Sequence, residues 1–182
     1  MGLFDKKICD ICGEKIGLLG NRKLDDGNLC KNCAKKLSPW FEDRRHSTVE
    51  DIKRQLEYRE KNKKAVMDFC ITRQINTRNY NVFIDDNKGN FTVARKLDVN
   101  ENPDIVPLSA VAQCRVDVER QQNEETYTTK DGETVSYQPP VYKYEFDYTM
   151  RIKVKNPWFD DMDFLFMIRL ENISAGICII SR

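Results

Sequence analysis

Two Cys-x-x-Cys pairs stand near the start of the chain: Cys9 and Cys12, then, after seventeen intervening residues, Cys30 and Cys33. A tight turn lets each pair present two sulfurs to one ion, and two pairs complete the tetrahedron that zinc takes. Four thiolates leave no position open for water, so such a zinc holds the fold and performs no chemistry of its own. Iron–sulfur ligation uses the same residue type, and two disulfides are a further alternative. A redox Cys-x-x-Cys needs a βαβ setting, which surrounds neither pair. The expected site is therefore one structural Zn²⁺ on Cys9, Cys12, Cys30 and Cys33, with no catalytic residue and no other cofactor. The single histidine, His46, follows Arg44-Arg45 in a polar stretch and reads as a solvated side chain.

The segments around the cysteines are suited to presenting them. Gly13 directly after Cys12 supplies the positive φ that a metal knuckle needs. Arg22 to Leu29 reads as a short hairpin turning at Asp26-Gly27, which returns the second pair to the first. Lys31 to Leu37 holds good helix formers and Pro39 marks a stop, so Cys33 falls in a first helical turn, where the helix dipole favours a thiolate. Knuckle, hairpin and ligand-bearing helix are the order of a treble-clef zinc finger. Ser47-Thr-Val-Glu50 has the form of a capping box and opens a helix predicted to run from about 48 to 69. Its apolar ends, with Val49, Ile52 and Leu56 at one and Ala65 to Phe69 at the other, are expected to pack. The polar middle, Arg59 to Lys64, is expected to be a solvated face.

Beyond residue 71 the period changes to two. Tyr80–Ile84 and Phe91–Arg95 flank a turn at Asp85 to Asn90 and predict a hairpin. Asn102 to Ser109 reads as extended, Ser109 to Ala112 as a short helical turn, and Gln113–Arg120 as a strand. The polar segment 121–140, with its tip at Lys130-Asp-Gly132, predicts an exposed loop or protruding hairpin. Val141–Val154 alternates cleanly as a long strand, Asn156-Pro-Trp-Phe159 turns the chain, and Met162–Arg169 returns it. Asp160-Asp-Met-Asp163 lacks the spaced ligands and glycine of a calcium loop and reads as a solvated turn. The fold class is α+β: a small zinc module over 1–42, a helical linker over 43–69, and an antiparallel β domain over 70–182.

The chain has 182 residues, 40% of them hydrophobic and 32% charged, a composition for globular folding rather than disorder. No apolar run approaches the ~20 residues of a spanning helix, so no membrane insertion is expected. Met1-Gly-Leu-Phe-Asp-Lys-Lys lacks the apolar core of a signal peptide, and Lys6 stands where a myristoylation motif wants Ser or Thr. A cytoplasmic location is expected. Cys70, Cys114 and Cys178, scattered in or beside apolar stretches, read as buried free thiols.

These motifs resemble those of a bacterial family of unknown function that joins a four-cysteine treble clef to a pleckstrin-homology-like barrel. The resemblance rests on Cys9-Asp-Ile-Cys-Gly13, Asp26-Gly-Asn-Leu-Cys-Lys-Asn-Cys33, Val106-Pro-Leu-Ser-Ala-Val111 and Asn156-Pro-Trp-Phe159. It implies metal binding at the four cysteines, a barrel over about 70–180, and no known catalytic residue. A pleckstrin-like domain ends in a helix, whereas Gly176–Arg182 reads as a strand. Either the chain lacks that helix or another element, such as the 48–69 helix, closes the barrel. Lipid-binding members of that fold carry cations in the first hairpin loop. Here Asp85 and Asp86 face Lys88, and phosphoinositide binding is disfavoured.

Without a nucleophile–histidine pair, a phosphate-binding glycine loop or an open metal position, the function expected is that of a non-enzymatic interaction or scaffold protein. Its partner would be another protein, with Trp40-Phe41 and Trp158-Phe159 as candidate contact points if exposed, such pairs being more often core. Glu145 and Asp147, on one face of a predicted strand, are the carboxylates an enzyme would have to use. Nucleic acid is the alternative partner, through Lys6, Lys7, Lys15, Arg22, Lys23, Lys31, Lys35 and Lys36 with Trp40 or Phe41 stacking. Asp5, Asp10, Glu14, Asp25 and Asp26 interleave with those cations. Residues 1–68 hold 16 basic and 12 acidic side chains, too small an excess to bind phosphates by charge alone.

Overall fold

The computed structural model describes residues 7–77 and 79–166. Strands β1 (Arg22–Lys23) and β2 (Asn28–Leu29) form the expected hairpin, with Leu24 N donating to Gly27 O at 2.9 Å. Gly27 is required there for space. A Cβ at that position would lie 2.6 Å from Val49 Cγ2 and 2.8 Å from an Asp10 carboxylate oxygen. Helix α1 (Lys31–Ala34) follows, and a 3₁₀ turn (Asp43–His46) leads into α2 (Val49–Met67). Here Leu24, Leu29, Leu37 and Ile52 gather around the cysteines as a first core.

The capping box of α2 sits one residue later than its sequence pattern suggested. Thr48 accepts from Asp51 N at 3.2 Å, and Thr48 N donates to the Asp51 carboxylate at 3.0 Å. Asp26 also accepts from Val49 N at 2.7 Å, which ties the hairpin turn to the start of the helix.

Two antiparallel sheets share a second core. One has the order β3 (Arg73–Asn76), β4 (Asn81–Asp85), β5 (Asn90–Ala94) and β6 (Val106–Pro107). After a 3₁₀ turn (Leu108–Ala110) come β7 (Val111–Glu124), β8 (Thr126–Thr128), β9 (Thr134–Ser136), β10 (Tyr142–Val154) and β11 (Asp161–Leu165). The second sheet runs β11-β10-β7, while β8 and β9 pair separately at the tip of the ribbon. Val82, Phe91, Val93 and Val106 of the first sheet meet Ile152, Val154, Met162 and Phe164 of the second, with Phe159 from the intervening turn. The α+β class holds. Among the described residues no sheet closes on itself, so the barrel implied by the resemblance is not formed by them. The predicted strand at Gly176–Arg182 lies outside the described residues, and no described helix is long and apolar enough to cross a membrane.

The 121–140 segment takes the second of its two expected forms, a protruding hairpin: β7 extends to Glu124, and the exposed β8 pairs with β9 beyond it. Several other expectations are corrected. Asp160 to Asp163 is not a solvated turn. Met162 is fully buried in β11, and Asp163 pairs with Arg151, which also holds Asp117. Cys70 and Cys114 are exposed: Cys70 lies in the segment between α2 and β3, Cys114 on β7, and neither belongs to a core.

The largest correction concerns the middle of α2, expected to face water. Ile52, Gln55, Arg59, Asn62 and Val66 form one buried stripe, spaced three and four residues apart. Arg59, 4% exposed, donates to the fully buried Asp104 at 2.7 Å, to Lys36 O at 3.2 Å, and to Asn102 O. Ser38 donates to the other Asp104 oxygen at 2.8 Å, and Asn62 donates to Asn102 Oδ1 and Pro103 O at 2.8 and 2.7 Å. The cysteine-bearing segment, the helix and the 102–105 loop are therefore joined through a polar junction. The aromatics proposed as contact points close it from the side. Phe41 packs edge-on against Trp158 with centroids 5.9 Å apart, and Trp40 lies 5.8 Å from Tyr80. Both are partly buried and Phe159 is buried, so these pairs are not free docking surfaces.

Burial pushes the Asp104 carboxyl above its ordinary range, against the pull of Arg59 and of the Ser38 hydroxyl. Arg59→Met leaves that carboxylate buried without its cation and is expected to cost about 3–5 kcal/mol at neutral pH. In the variant Asp104 has an even higher folded pKa. The variant therefore gains stability relative to wild type as pH falls and the carboxyl takes up a proton. Denaturant unfolding from neutral to mildly acidic pH checks both parts: a gap that stays constant or widens on acidification contradicts the burial of an unpaired charge.

Candidate metal centre

The knuckle at Cys9 is built from backbone bonds that only a turn can make. Gly13 N donates to Cys9 O at 2.8 Å, Cys9 N donates to Glu14 O at 2.9 Å, and Gly13 takes φ +74° as expected. Asp10 then stitches this knuckle to the hairpin. Its amide donates to Asn28 O at 2.9 Å, and its carboxylate accepts from Asn28 N at 2.6 Å. Cys30 is the N-cap of α1 and accepts from Cys33 N at 3.3 Å, which puts Cys33 in the first helical turn. Cys30 N in turn donates to Cys9 Sγ at 3.2 Å.

The outcome is that Cys9, Cys12, Cys30 and Cys33 bring their sulfurs within 4.8 Å of one another. Cys12 and Cys30 Sγ are 3.7 Å apart. A disulfide requires about 2.05 Å. Zinc–sulfur bonds of about 2.3 Å at tetrahedral angles separate the sulfurs by about 3.8 Å. The four cysteines thus stand where one metal ion would take them all, and the amides aimed at Cys9 and Cys30 offset negative charge on sulfur. Cys9, Cys30 and Cys33 are buried, while Cys12 is exposed at the rim. Burial raises the Cys9 thiol, but hydrogen bonds from the Cys12, Cys30 and Ile11 backbone outweigh it and bring it down to about 7. Burial and the neighbouring Cys12 and Cys30 sulfurs push Cys33 up. A metal ion bound here would require all four sulfurs as thiolates.

His46 is exposed, in the 3₁₀ turn that precedes α2. Glu145 pairs with Lys143, and Asp147 accepts from Gln121 at 3.0 Å. The residues that sequence reasoning missed are those of the junction: Ser38 and Lys36 lie only five and three positions after Cys33. The available signal was the spacing of Ile52, Gln55, Arg59, Asn62 and Val66, hidden by their polarity.

A family model described as a domain of unknown function (DUF4428) matches residues 7–55, the segment that holds the four cysteines and the start of α2. No curated protein and no solved structure matches the chain.

Metal binding here must release thiol protons, so affinity falls as pH falls. Cobalt titration is expected to give the absorption of a tetrahedral thiolate site at one ion per chain, with loss on acidification and at least a tenfold weaker fit for Cys30→Ser. A folded chain that takes up no cobalt would contradict the assignment.

Proposed function

We propose that this chain is a non-enzymatic interaction or scaffold protein whose first module is fixed by one structural zinc ion on Cys9, Cys12, Cys30 and Cys33. In this reading the chain works as three parts: the zinc module over 1–42, a helical linker over 43–69 and a β domain over 70–182. Two antiparallel sheets sharing one core support a pleckstrin-like ancestry for the last of these. The closed thiolate set supports a structural metal, since it leaves no position for a substrate or water.

The observation that carries the interaction reading is the ribbon of β7 and β10. β11 pairs only with Thr149–Lys153, so the ribbon runs on without a third strand among the described residues. Val116, Val118, Tyr144 and Phe146 share one face of it and are all exposed, Val118 by 55%. The outer edge of β7 is unpaired along its length among the described residues. An extended segment of another protein fits both features, its backbone completing the edge and its apolar side chains covering the face. Nucleic acid is the weaker reading. Trp40 and Phe41, the aromatics that would stack on bases, are engaged in the junction.

Val118→Glu combined with Phe146→Glu places charge on that face at solvated positions. Stability is expected to change by no more than about 1 kcal/mol, because neither side chain belongs to a core. Partners cross-linked to the wild-type chain in its host should disappear from the variant. An unchanged partner set would place the interaction surface elsewhere.

A further inference from the structure

The most exposed apolar side chains of the described residues are on the zinc module, not on the ribbon. Leu18 and Leu19 are 91% and 89% exposed at the tip of a turn closed by Gly20 N donating to Gly17 O at 2.9 Å. The stem of this turn is firmly anchored. Ile16 is buried and its amide donates to Lys7 O at 2.8 Å, Ile8 bridges to Lys15, and Arg22 pairs with Leu29. The leucines are thus held outward by a fixed base.

Along the loop itself the charged side chains have one sign. From Lys15 to Lys23 the chain carries Lys15, Arg22 and Lys23 and no carboxylate, and Lys7 adds a fourth cation across the bridge. Glu14 and Asp25 flank the loop in sequence, and the Asp10 carboxylate accepts from Asn28 N. Arg22 is turned along the loop, donating to Leu19 O and Asn21 O at 3.4 Å each. Gly17, Leu18, Leu19 and Gly20 offer no side-chain hydrogen-bonding group with which to read a specific protein surface. An exposed apolar tip on a segment whose only charged side chains are cations matches a layer that is apolar inside and anionic at its face.

We propose that the Gly17–Gly20 turn docks the zinc module onto an anionic lipid bilayer, Leu18 and Leu19 entering the interface while Lys7, Lys15, Arg22 and Lys23 meet the headgroups. Only two side chains enter, so the docking needs no membrane-crossing element. It rests on residues separate from the protein-binding ribbon, and it does not use the Asp85–Asp86 loop.

Flotation of the full zinc-loaded chain with vesicles tests it. Binding is expected to vesicles containing phosphatidylserine, to weaken with added salt, and to be much weaker on phosphatidylcholine alone. Leu18→Ser with Leu19→Ser should lower partition at least tenfold with zinc content and melting temperature unchanged. Lys15→Gln, Arg22→Gln and Lys23→Gln should each weaken it about fivefold on anionic vesicles. Leu19→Trp gives a direct reading, its emission shifting to the blue and being quenched by brominated lipid. Absence of binding to anionic vesicles overturns the proposal, as does binding that survives the double serine variant. A double serine variant that loses melting temperature while wild type ignores vesicles would assign the leucines to a contact within the chain, residues 1–6 included. A protein that binds the tip in place of lipid overturns it equally.

Discussion

The carboxylate of Asp104 is the point on which three parts of this chain converge. It is fully buried, yet its oxygens accept from Arg59 of α2 and from Ser38 of the cysteine-bearing segment. A lone carboxylate at that depth would cost several kcal/mol in desolvation, and only its simultaneous contacts make the position tenable. Those contacts fix geometry more strictly than apolar packing does. Apolar contacts accommodate small shifts, whereas a guanidinium shared between a carboxylate and two carbonyls holds one geometry. The buried pair thereby ties α2, the segment after Cys33 and the 102–105 loop to one another.

The metal centre and this junction are mechanically continuous. Cys33 lies in the first turn of α1, and Lys36 O and Ser38 Oγ, which hold Arg59 and Asp104, follow within five residues. The module around the cysteines has few apolar residues with which to define itself: Leu24, Leu29, Leu37 and Ile52 with smaller contributions. Four converging sulfurs supply the constraint that so small a core cannot. Ser38, five residues after Cys33, links the cysteine-bearing segment to Asp104.

How much of this could be read from the chain depended on whether the signal was local. The cysteine spacing, Gly13, the Asp26-Gly27 turn and the alternation of Val141–Val154 each act within a few residues, and all appear as expected. The α2 stripe failed because its burial is decided by residues some forty positions away. Arg59 and Asn62 look solvated until Asn102 and Asp104 are placed against them. Trp40 and Phe41 failed for the same reason in reverse, since apolar side chains in a polar linker look free until Tyr80 and Trp158 arrive. Cys70 and Cys114 show a third case. An apolar neighbourhood in sequence places a thiol on a strand or at its end, but not on the covered side.

Alternation along a strand states that one face is dry without stating what dries it. At the base of the β7–β10 ribbon the question is answered within the chain, where Ile152 and Val154 meet Phe91 and Val106 across the two sheets. Farther out the same alternation continues through Val116, Val118, Phe146 and Tyr144, but β3 to β6 no longer lie beneath it. A two-stranded ribbon is marginal by itself in water. Its persistence here rests on the long β7–β10 ladder and on Arg151, which bridges Asp117 and Asp163 across three strands. Beyond β11 the described residues leave this face of the ribbon exposed, so the alternation there continues without the packing that accounts for it at the base.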